Sequence, residues 1–243
     1  MSEIVIEALD AQTMALWRTV CKIARELERE RTQWCLVGGL MVSLFAIEAR
    51  RLPRATRDID ILGDARERPS ATERVTSGLL SLGGKLETIG GLGLTKGFRF
   101  EVDGQLVDVL APDGLARAAL TDGQFQTIQI PGGTQALRRS ETVAIVVDGE
   151  RTALRRPTLL GAILLKTRSL KVHERRQDQR EDLLTLLGIM QDPRAAASEL
   201  HGSERSWLRA ADPLLNLNDE SLRSRFDEPH LRTARAAYAL LTK

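Results

Sequence analysis

Three aspartates in strand-like segments are the residues of this chain whose type and spacing best suit chemistry. Asp58 and Asp60 stand two apart in the alternating stretch 58–62, which ends at Gly63. On an extended strand, residues i and i+2 project from the same face about 6.5–7 Å apart, so the two carboxylates point together. Convergent carboxylates repel each other, and Mg²⁺, which takes oxygen ligands, removes that repulsion. The pair indicates a Mg²⁺ site, although Asp-x-Asp also occurs in turns and edge strands.

The third acid, Asp108, lies between Val107 and Val109 in a second alternating stretch. An ionised group among such neighbours must be paired or must bind a metal. Three acids from adjacent strands suit two cations about 3.5–4 Å apart, the arrangement that in-line phosphoryl or nucleotidyl transfer uses. In this interpretation Asp58, Asp60 and Asp108 are metal ligands and catalytic residues, with Asp108 a ligand or general base. The alternative is that Asp108 caps a strand end or pairs with an arginine.

A glycine pair, Gly38-Gly39, follows the apolar stretch 34–37 and precedes a helical run over 40–49. Glycines at a strand-to-helix junction let the backbone approach a ligand closely, and the N–H groups that open a helix suit a phosphate. Glycine pairs are also common in ordinary turns. The other glycine-rich segment, 83–97, matches neither the Rossmann nor the Walker phosphate pattern.

Periodicity predicts the elements that must position these residues. Apolar or alternating runs predict strands at 34–37, 58–62, 98–102, 105–110, 127–130 and 142–147. Helical spacing predicts helices at 9–30, 40–49, 70–82, 159–172, 174–190, 195–211 and 221–241. Asp103-Gly104 between two alternating runs is a strong hairpin signal. Strands before Pro157 and helices after it indicate an α+β fold, with a core over 1–156 and a helical C-terminal domain over 157–243.

Composition limits the classes of function. With 243 residues, 42% of them apolar, the chain can bury a sizeable core. A net charge of +2 is too small for a polycation, so any affinity for nucleic acid must come from a local patch. The segment 151–180 holds nine Lys or Arg and two acids, and it is either such a patch or a solvated helix face.

Targeting and redox signals are absent from the sequence pattern. Cys21 and Cys35 fit neither a disulfide framework nor a zinc site. Residues 1–10 lack the pattern of a secretory signal, and no apolar run approaches the roughly 20 residues that cross a bilayer. We therefore expect a cytoplasmic protein with no membrane partner.

The stretch 37–62, VGGLMVSLFAIEARRLPRATRDIDIL, resembles the opening motif of the DNA-polymerase-β-like nucleotidyltransferase superfamily. The likeness is to its AbiEii-type branch, which supplies toxins of toxin–antitoxin systems. That branch has a Gly-Gly or Gly-Ser turn, a helix and an Arg-x-Thr-x-Asp-x-Asp strand, matched by Gly38, Gly39, Arg54, Thr56, Asp58 and Asp60. Its third acid corresponds to Asp108, and a lysine expected to contact nucleotide phosphates corresponds to Lys166. A later Lys-Asp-x-x-Asp-Leu motif is matched by Asp182-Leu183, with Gln179 in place of its first acid.

The resemblance covers about residues 34–190 and implies a polymerase β-like mixed sheet with flanking helices and a C-terminal helical extension. It also implies a nucleoside triphosphate substrate and Mg²⁺ as cofactor. The residues expected to bind the nucleotide are Gly38, Gly39, Arg54, Thr56, Arg57, Lys166 and Asp182. Salt bridges to nearby acids are the alternative role for the remaining arginines.

Three functions follow from these patterns. The first is Mg²⁺-dependent transfer of a nucleotidyl group to an acceptor hydroxyl, with RNA or tRNA as acceptor and a cognate antitoxin protein as partner. The second keeps this chemistry but takes a small aminohydroxyl antibiotic as acceptor. The third is a catalytically silent module that binds a nucleotide or a protein partner. Label found on RNA, on small molecules only, or on neither would separate the three.

Overall fold

The computed structural model describes most of the chain, namely residues 3–7, 9–29, 32–66, 70–87, 98–116, 121–122, 125–170, 176–216, 219, 222 and 224–243. The helices are α1 Ala11–Arg29, α2 Gly38–Glu48, α3 Ala71–Ser81, α4 Gly133–Arg138, α5 Leu159–Ser169, α6 Arg176–Gly188, α7 Pro193–Ser198, α8 Glu204–Leu215 and α9 Glu228–Thr242. The strands are β1 Glu3–Ile6, β2 Trp34–Val37, β3 Asp58–Gly63, β4 Lys85–Leu86, β5 Arg99–Val102, β6 Gln105–Pro112, β7 Thr121–Asp122, β8 Phe125–Gln126, β9 Ile128–Ile130, β10 Ser140–Val147 and β11 Glu150–Pro157. These elements confirm the predicted α+β class.

A mixed central sheet carries the predicted aspartates. Its order is β2-β3-β6-β5-β4, and β9 pairs with the far end of β6. β3 and β6 run parallel, with Asp60 paired in register with Asp108. β5 and β6 form the antiparallel hairpin predicted at Asp103-Gly104, with Arg99 opposite Asp108. Because neighbours in register point to the same face of a sheet, all three acids share one face with Arg99.

The two faces of the central sheet are covered differently. Helices α1 and α3 pack over the face that carries the apolar residues of β3 and β6. On the acidic face, helices α4 and α5 cover only one end, where Leu62 and Leu110 join a small apolar cluster with Leu165. The remaining part of that face, which carries the acids, is left open to a cleft.

Helix α2 is surrounded by protein on nearly every side. Seven consecutive residues from Leu40 to Ala46 are buried, and the helix packs against β3, α5 and α6. A helix that is apolar all round is a buried helix. Its fixed position in the core holds its first turn, at Gly38 and Gly39, beside the acidic face.

A second sheet, β1-β10-β11, was only partly expected from the sequence. Strand β10 was predicted, whereas β1 and β11 were not, and β1 pairs in parallel with β10. The arginine-rich segment 151–180 therefore begins on a strand and does not form one helix face. Its members Lys171 and Arg175 lie outside the described residues.

The helices after Pro157 pack as one layer on the core. Helix α5 contacts α4, α6 and α8, and α9 contacts α6, α7 and α8. The main apolar cluster contains residues from both sides of the predicted boundary at 156/157, for example Leu154 and Leu160. The division into two domains stays a prediction. Among the described residues, no helix has the length and apolar character to span a bilayer.

Candidate active site

An open cleft of about 820 Å³ lies over the acidic face of the central sheet. Its charged lining residues are Arg54, Arg57, Asp58, Asp60, Arg99, Asp108, Lys166 and Asp178. The glycine turn, Thr56 and Gln179 also line it. The cleft thus contains every residue predicted to act as a ligand or to bind the nucleotide, with the exception of Asp182.

The glycine turn touches the carboxylate of Asp60. Gly38 begins α2 with a φ of +69°, a left-handed conformation that favours glycine. A Cβ at this position would overlap the Asp60 carboxylate, and a Cβ at Gly39 would lie 2.5 Å from Thr56 Oγ1. The first turn of α2 and the acids can approach this closely because neither glycine has a side chain. The open N–H groups of a helix start favour an anion here.

The acids form a cluster of negative charge. Burial, followed by the charges of Asp58 and Asp108, raises the pKa of Asp60 to about 7. The positive charges of Lys166 and Arg99 partly oppose this rise. Thr56 Oγ1 donates a hydrogen bond of 3.2 Å to Asp58 Oδ1. Because ionisation of Asp60 is unfavourable here, a bound cation would stabilise its charged form.

Asp108 is paired with an arginine, which is the alternative that its sequence context left open. Arg99 Nε and Nη2 donate to its two carboxylate oxygens at 2.6 and 2.7 Å. The hydrogen bond to Asp108 raises the pKa of Arg99, so the guanidinium stays charged. Sequence analysis missed Arg99, although counting back along the hairpin from Asp103-Gly104 places it opposite Asp108.

Lys166 and Arg54 are joined beneath the cleft by Asp182, whose side chain is 1% exposed. Lys166 Nζ lies 2.8 Å from Asp182 Oδ2, and Arg54 Nε donates to Asp182 Oδ1 at 3.0 Å. Gln179 Oε1 accepts a second bond from Lys166 at 3.2 Å. Lys166 is itself 3% exposed, so its orientation depends on these partners. Asp182 therefore orients the two cations, and its direct contact with a nucleotide stays a prediction.

The donor set suits a magnesium ion in part. Among the described residues, no three His, Cys, Asp or Glu side chains are grouped so that they could hold a metal. Asp58 and Asp60 remain, because both oxygens of Asp108 are bonded to Arg99. Mg²⁺ is usually held by one or two carboxylates together with substrate phosphates. Two carboxylates beside a helix start that favours an anion therefore fit this cation.

Arginines of the two basic regions differ in their partners. Within the described part of 151–180, most cations are bonded to neighbours: Arg151 to Glu3, Arg155 to Ser140, Arg156 to Glu48 and Glu141, Lys166 to Asp182, and Arg180 to Asp219. Arg50 and Arg57 are exposed, and no described carboxylate lies within ion-pair distance of either. The loop between α2 and β3 therefore carries two exposed arginines without a described carboxylate partner, and of these Arg57 lines the cleft.

Comparison with known proteins relates the fold to nucleotidyltransferases. No protein-family model matches the chain, and no curated protein sequence matches it. The fold is similar to an antigenic nucleotidyltransferase-like protein from Paracoccidioides brasiliensis, with a TM-score of 0.51 at 12% identity over 93% of this chain and 94% of that one.

Two structures of the antibiotic-resistance factor ANT(2'')-Ia are also similar. One is a solution structure, with 16% identity and a TM-score of 0.45 over 89% of this chain and 94% of that one. The other is a complex with adenylyl-2''-tobramycin, with 15% identity and a TM-score of 0.44 over 88% and 99%. The overall fold is thus similar to that of a nucleotidyltransferase-like protein, and the AbiEii-type branch stays a prediction.

Proposed function

We propose that this protein is a Mg²⁺-dependent nucleotidyltransferase that moves a nucleotidyl group from a nucleoside triphosphate to an acceptor hydroxyl. One observation carries the proposal: Asp58, Asp60 and Asp108 lie on one sheet face, in a cleft that a helix-opening glycine turn adjoins. A metal–triphosphate substrate requires carboxylates that bind the cation and N–H groups that bind a phosphate.

Four of the charged side chains that line the cleft then have a role in binding. Asp58 and Asp60 would hold a Mg²⁺ ion, and the turn at Gly38 and Gly39 would receive a phosphate of the substrate. The chemistry that such a cation would supply is neutralisation of negative charge on the triphosphate and on the departing pyrophosphate. Lys166 and Arg54, oriented by Asp182, add positive charge to the cleft, with Arg54 close to the glycine turn.

We propose RNA, including tRNA, as the acceptor. Arg57, which is exposed and has no described carboxylate within ion-pair distance, lines the cleft, so a phosphate backbone can approach the site there. Inside the cleft four cations offset four acids, so no surplus of acids remains to attract a polycationic aminoglycoside. A role as the toxin of a toxin–antitoxin pair, with a protein antitoxin as partner, is proposed on the sequence resemblance.

The test is label transfer by the purified chain. The protein is incubated with Mg²⁺, each of the four α-³²P-labelled nucleoside triphosphates and total RNA, and a parallel reaction contains aminoglycosides. The matched control is Asp58→Asn, which keeps the shape of the side chain and removes its charge. Transfer to RNA by the unaltered chain, lost in Asp58→Asn, supports the proposal.

The other outcomes separate the alternatives. Label on the aminoglycosides alone would replace RNA with a small acceptor and keep the chemistry. Label on neither acceptor, in reactions where the chain binds Mg²⁺ and nucleotide, would contradict transferase activity and favour a silent binding module. Equal transfer by Asp58→Asn would contradict the roles given to the acids.

A further inference from the structure

The third acid of the cluster is already paired with a positively charged side chain in the structure described here. Arg99 holds both of its oxygens, and the Asp108 side chain is 9% exposed. A bidentate guanidinium pair is among the stronger polar contacts in proteins. The guanidinium occupies one lone pair on each oxygen and places a positive charge beside them, so a metal ion at Asp108 competes with Arg99.

Arg99 has other places to bind if it leaves Asp108. Its side chain is 34% exposed, whereas that of Asp108 is nearly covered. Glu87 Oε2 lies 4.0 Å from Arg99 Nε, and its side chain is 49% exposed. Arg99 also lines the cleft itself, where a triphosphate would offer a dense negative charge. A movement of this one side chain is enough to exchange partners.

We propose that Arg99 is a positioning residue that exchanges Asp108 for the triphosphate, so that cation binding at Asp108 and phosphate binding at Arg99 are coupled. The inference rests on the proposed function, because it assigns a triphosphate to the cleft. Without substrate, Arg99 replaces the missing cation and limits repulsion among the acids. When a triphosphate binds, it draws Arg99 away and exposes the third carboxylate. Such a coupling is reciprocal, so either ligand favours the other.

The exchange makes two opposite predictions that need neither nucleotide nor acceptor. Arg99→Gln frees Asp108, and it should bind Mn²⁺ about tenfold more tightly than the unaltered chain, a typical size for coupled sites. Asp108→Asn frees Arg99, and it should bind inorganic tripolyphosphate more tightly by a similar factor. Mn²⁺ binding is measured from the electron paramagnetic resonance signal of the free ion, and tripolyphosphate binding by calorimetry without metal.

Matched variants separate the exchange from a simple change in charge. Arg57→Gln removes one positive charge from the cleft and leaves the Arg99–Asp108 pair intact. Asp178→Asn removes one negative charge from the cleft and also leaves that pair intact. The double variant Arg99→Gln with Asp108→Asn should lose the gain in Mn²⁺ affinity. Arg99→Lys keeps the charge but cannot form the two-point hydrogen bond of a guanidinium. Its Mn²⁺ affinity should lie between those of the unaltered chain and Arg99→Gln. It replaces Arg99→Gln in the test if that variant does not fold.

The exchange is contradicted if Arg99→Gln changes Mn²⁺ affinity no more than Arg57→Gln does. It is equally contradicted if Asp108→Asn changes tripolyphosphate affinity no more than Asp178→Asn does. The two proposals fail separately. If the variants show the predicted changes in affinity but the chain transfers no label, only the proposed transferase activity is contradicted. If the chain transfers label but the affinities do not change as predicted, only the role of Arg99 is contradicted.

Discussion

The two faces of strands β3 and β6 perform different tasks within the same few residues. One face carries the carboxylates of Asp58, Asp60 and Asp108. The other carries apolar side chains that are at most 2% exposed, those of Ile59, Ile61, Val107 and Val109. Because strand residues alternate between faces, each acid is one position away from a residue that stabilises the core.

The faces also differ in the sign of their contribution to stability. The apolar face stabilises the fold, since burial of each large aliphatic side chain contributes about 1.5–3 kcal/mol. The acidic face works against it, because burial and mutual repulsion raise the pKa of Asp60 to about 7. The proposed ligand side chains thus lie on the face where buried charge destabilises the fold, and the apolar face of the same strands stabilises it. Substitutions on the two faces should therefore have opposite effects.

The largest expected effect comes from the acidic face. Asp58→Asn and Asp60→Asn should each slow label transfer about 10³-fold, because each removes about 4 kcal/mol of charge stabilisation in the transition state. Neither change should lower the free energy of unfolding, since each removes a repelled charge. Rates and urea unfolding curves check both points, and a variant with at least a tenth of the original rate would contradict the role of that acid.

On the opposite face, Ile59→Ala should cost about 3 kcal/mol of stability, because a fully buried side chain leaves a cavity. The milder Ile59→Val should cost about 1 kcal/mol. Rates per mole of folded protein should change little, since the side chain points away from the cleft. Urea unfolding gives the stability, and an unchanged midpoint for Ile59→Ala would show that the two faces are not divided in this way.

The glycine turn affects both stability and cation binding, and Gly38→Ala should lower both. A non-glycine residue at positive φ costs about 1–2 kcal/mol, and the new Cβ would overlap the Asp60 carboxylate. Gly104→Ala is the matched control, with a φ of +76° and open space around its Cβ. Gly38→Ala should be the less stable of the two and should bind Mn²⁺ less tightly than the control. Equal stability and equal Mn²⁺ binding would exclude close contact between the turn and the acid.

The smallest effect is a dependence on pH. The pKa of Asp60 is raised by folding, so the metal-free folded state binds this proton over a range in which the unfolded chain has lost it. The contribution of Asp60 to stability should fall as pH rises from about 4 to about 7 and stay constant above that. Thermal melting of the original chain and Asp60→Asn over pH 5–8 should show Asp60→Asn gaining relative stability up to pH 7. A constant difference across that range would contradict the raised pKa.

Local signals made much of the central sheet predictable. Alternation over 58–62 and the Asp-Gly turn predicted β3 and the β5–β6 hairpin, and spacing predicted the faces of the acids. Strand β1 is a short segment that pairs with β10, more than 130 residues away, and this pairing leaves no local trace. Strand β11 contains three arginines and few apolar residues, so it lacks the usual pattern of a buried strand.

The site was predictable where its parts adjoin in sequence. The glycine turn, Arg54, Thr56 and the first two acids come from one continuous stretch. The shared partner of Arg54 and Lys166 depends on contacts across 128 residues, and only the resemblance to a known motif pointed to Asp182. In the described part of 151–180 the excess charge did not mark the site, because carboxylates of distant segments pair with Arg151 and Arg156.

The most direct test of the acidic face as a cation and phosphate site is an anomalous difference map from crystals soaked with Mn²⁺ and α,β-methylene-ATP. A Mn²⁺ peak should lie within about 2.0–2.3 Å of carboxylate oxygens of both Asp58 and Asp60, with a phosphate at the Gly38-Gly39 turn. A Mn²⁺ peak elsewhere, or nucleotide bound away from these carboxylates, would contradict the account.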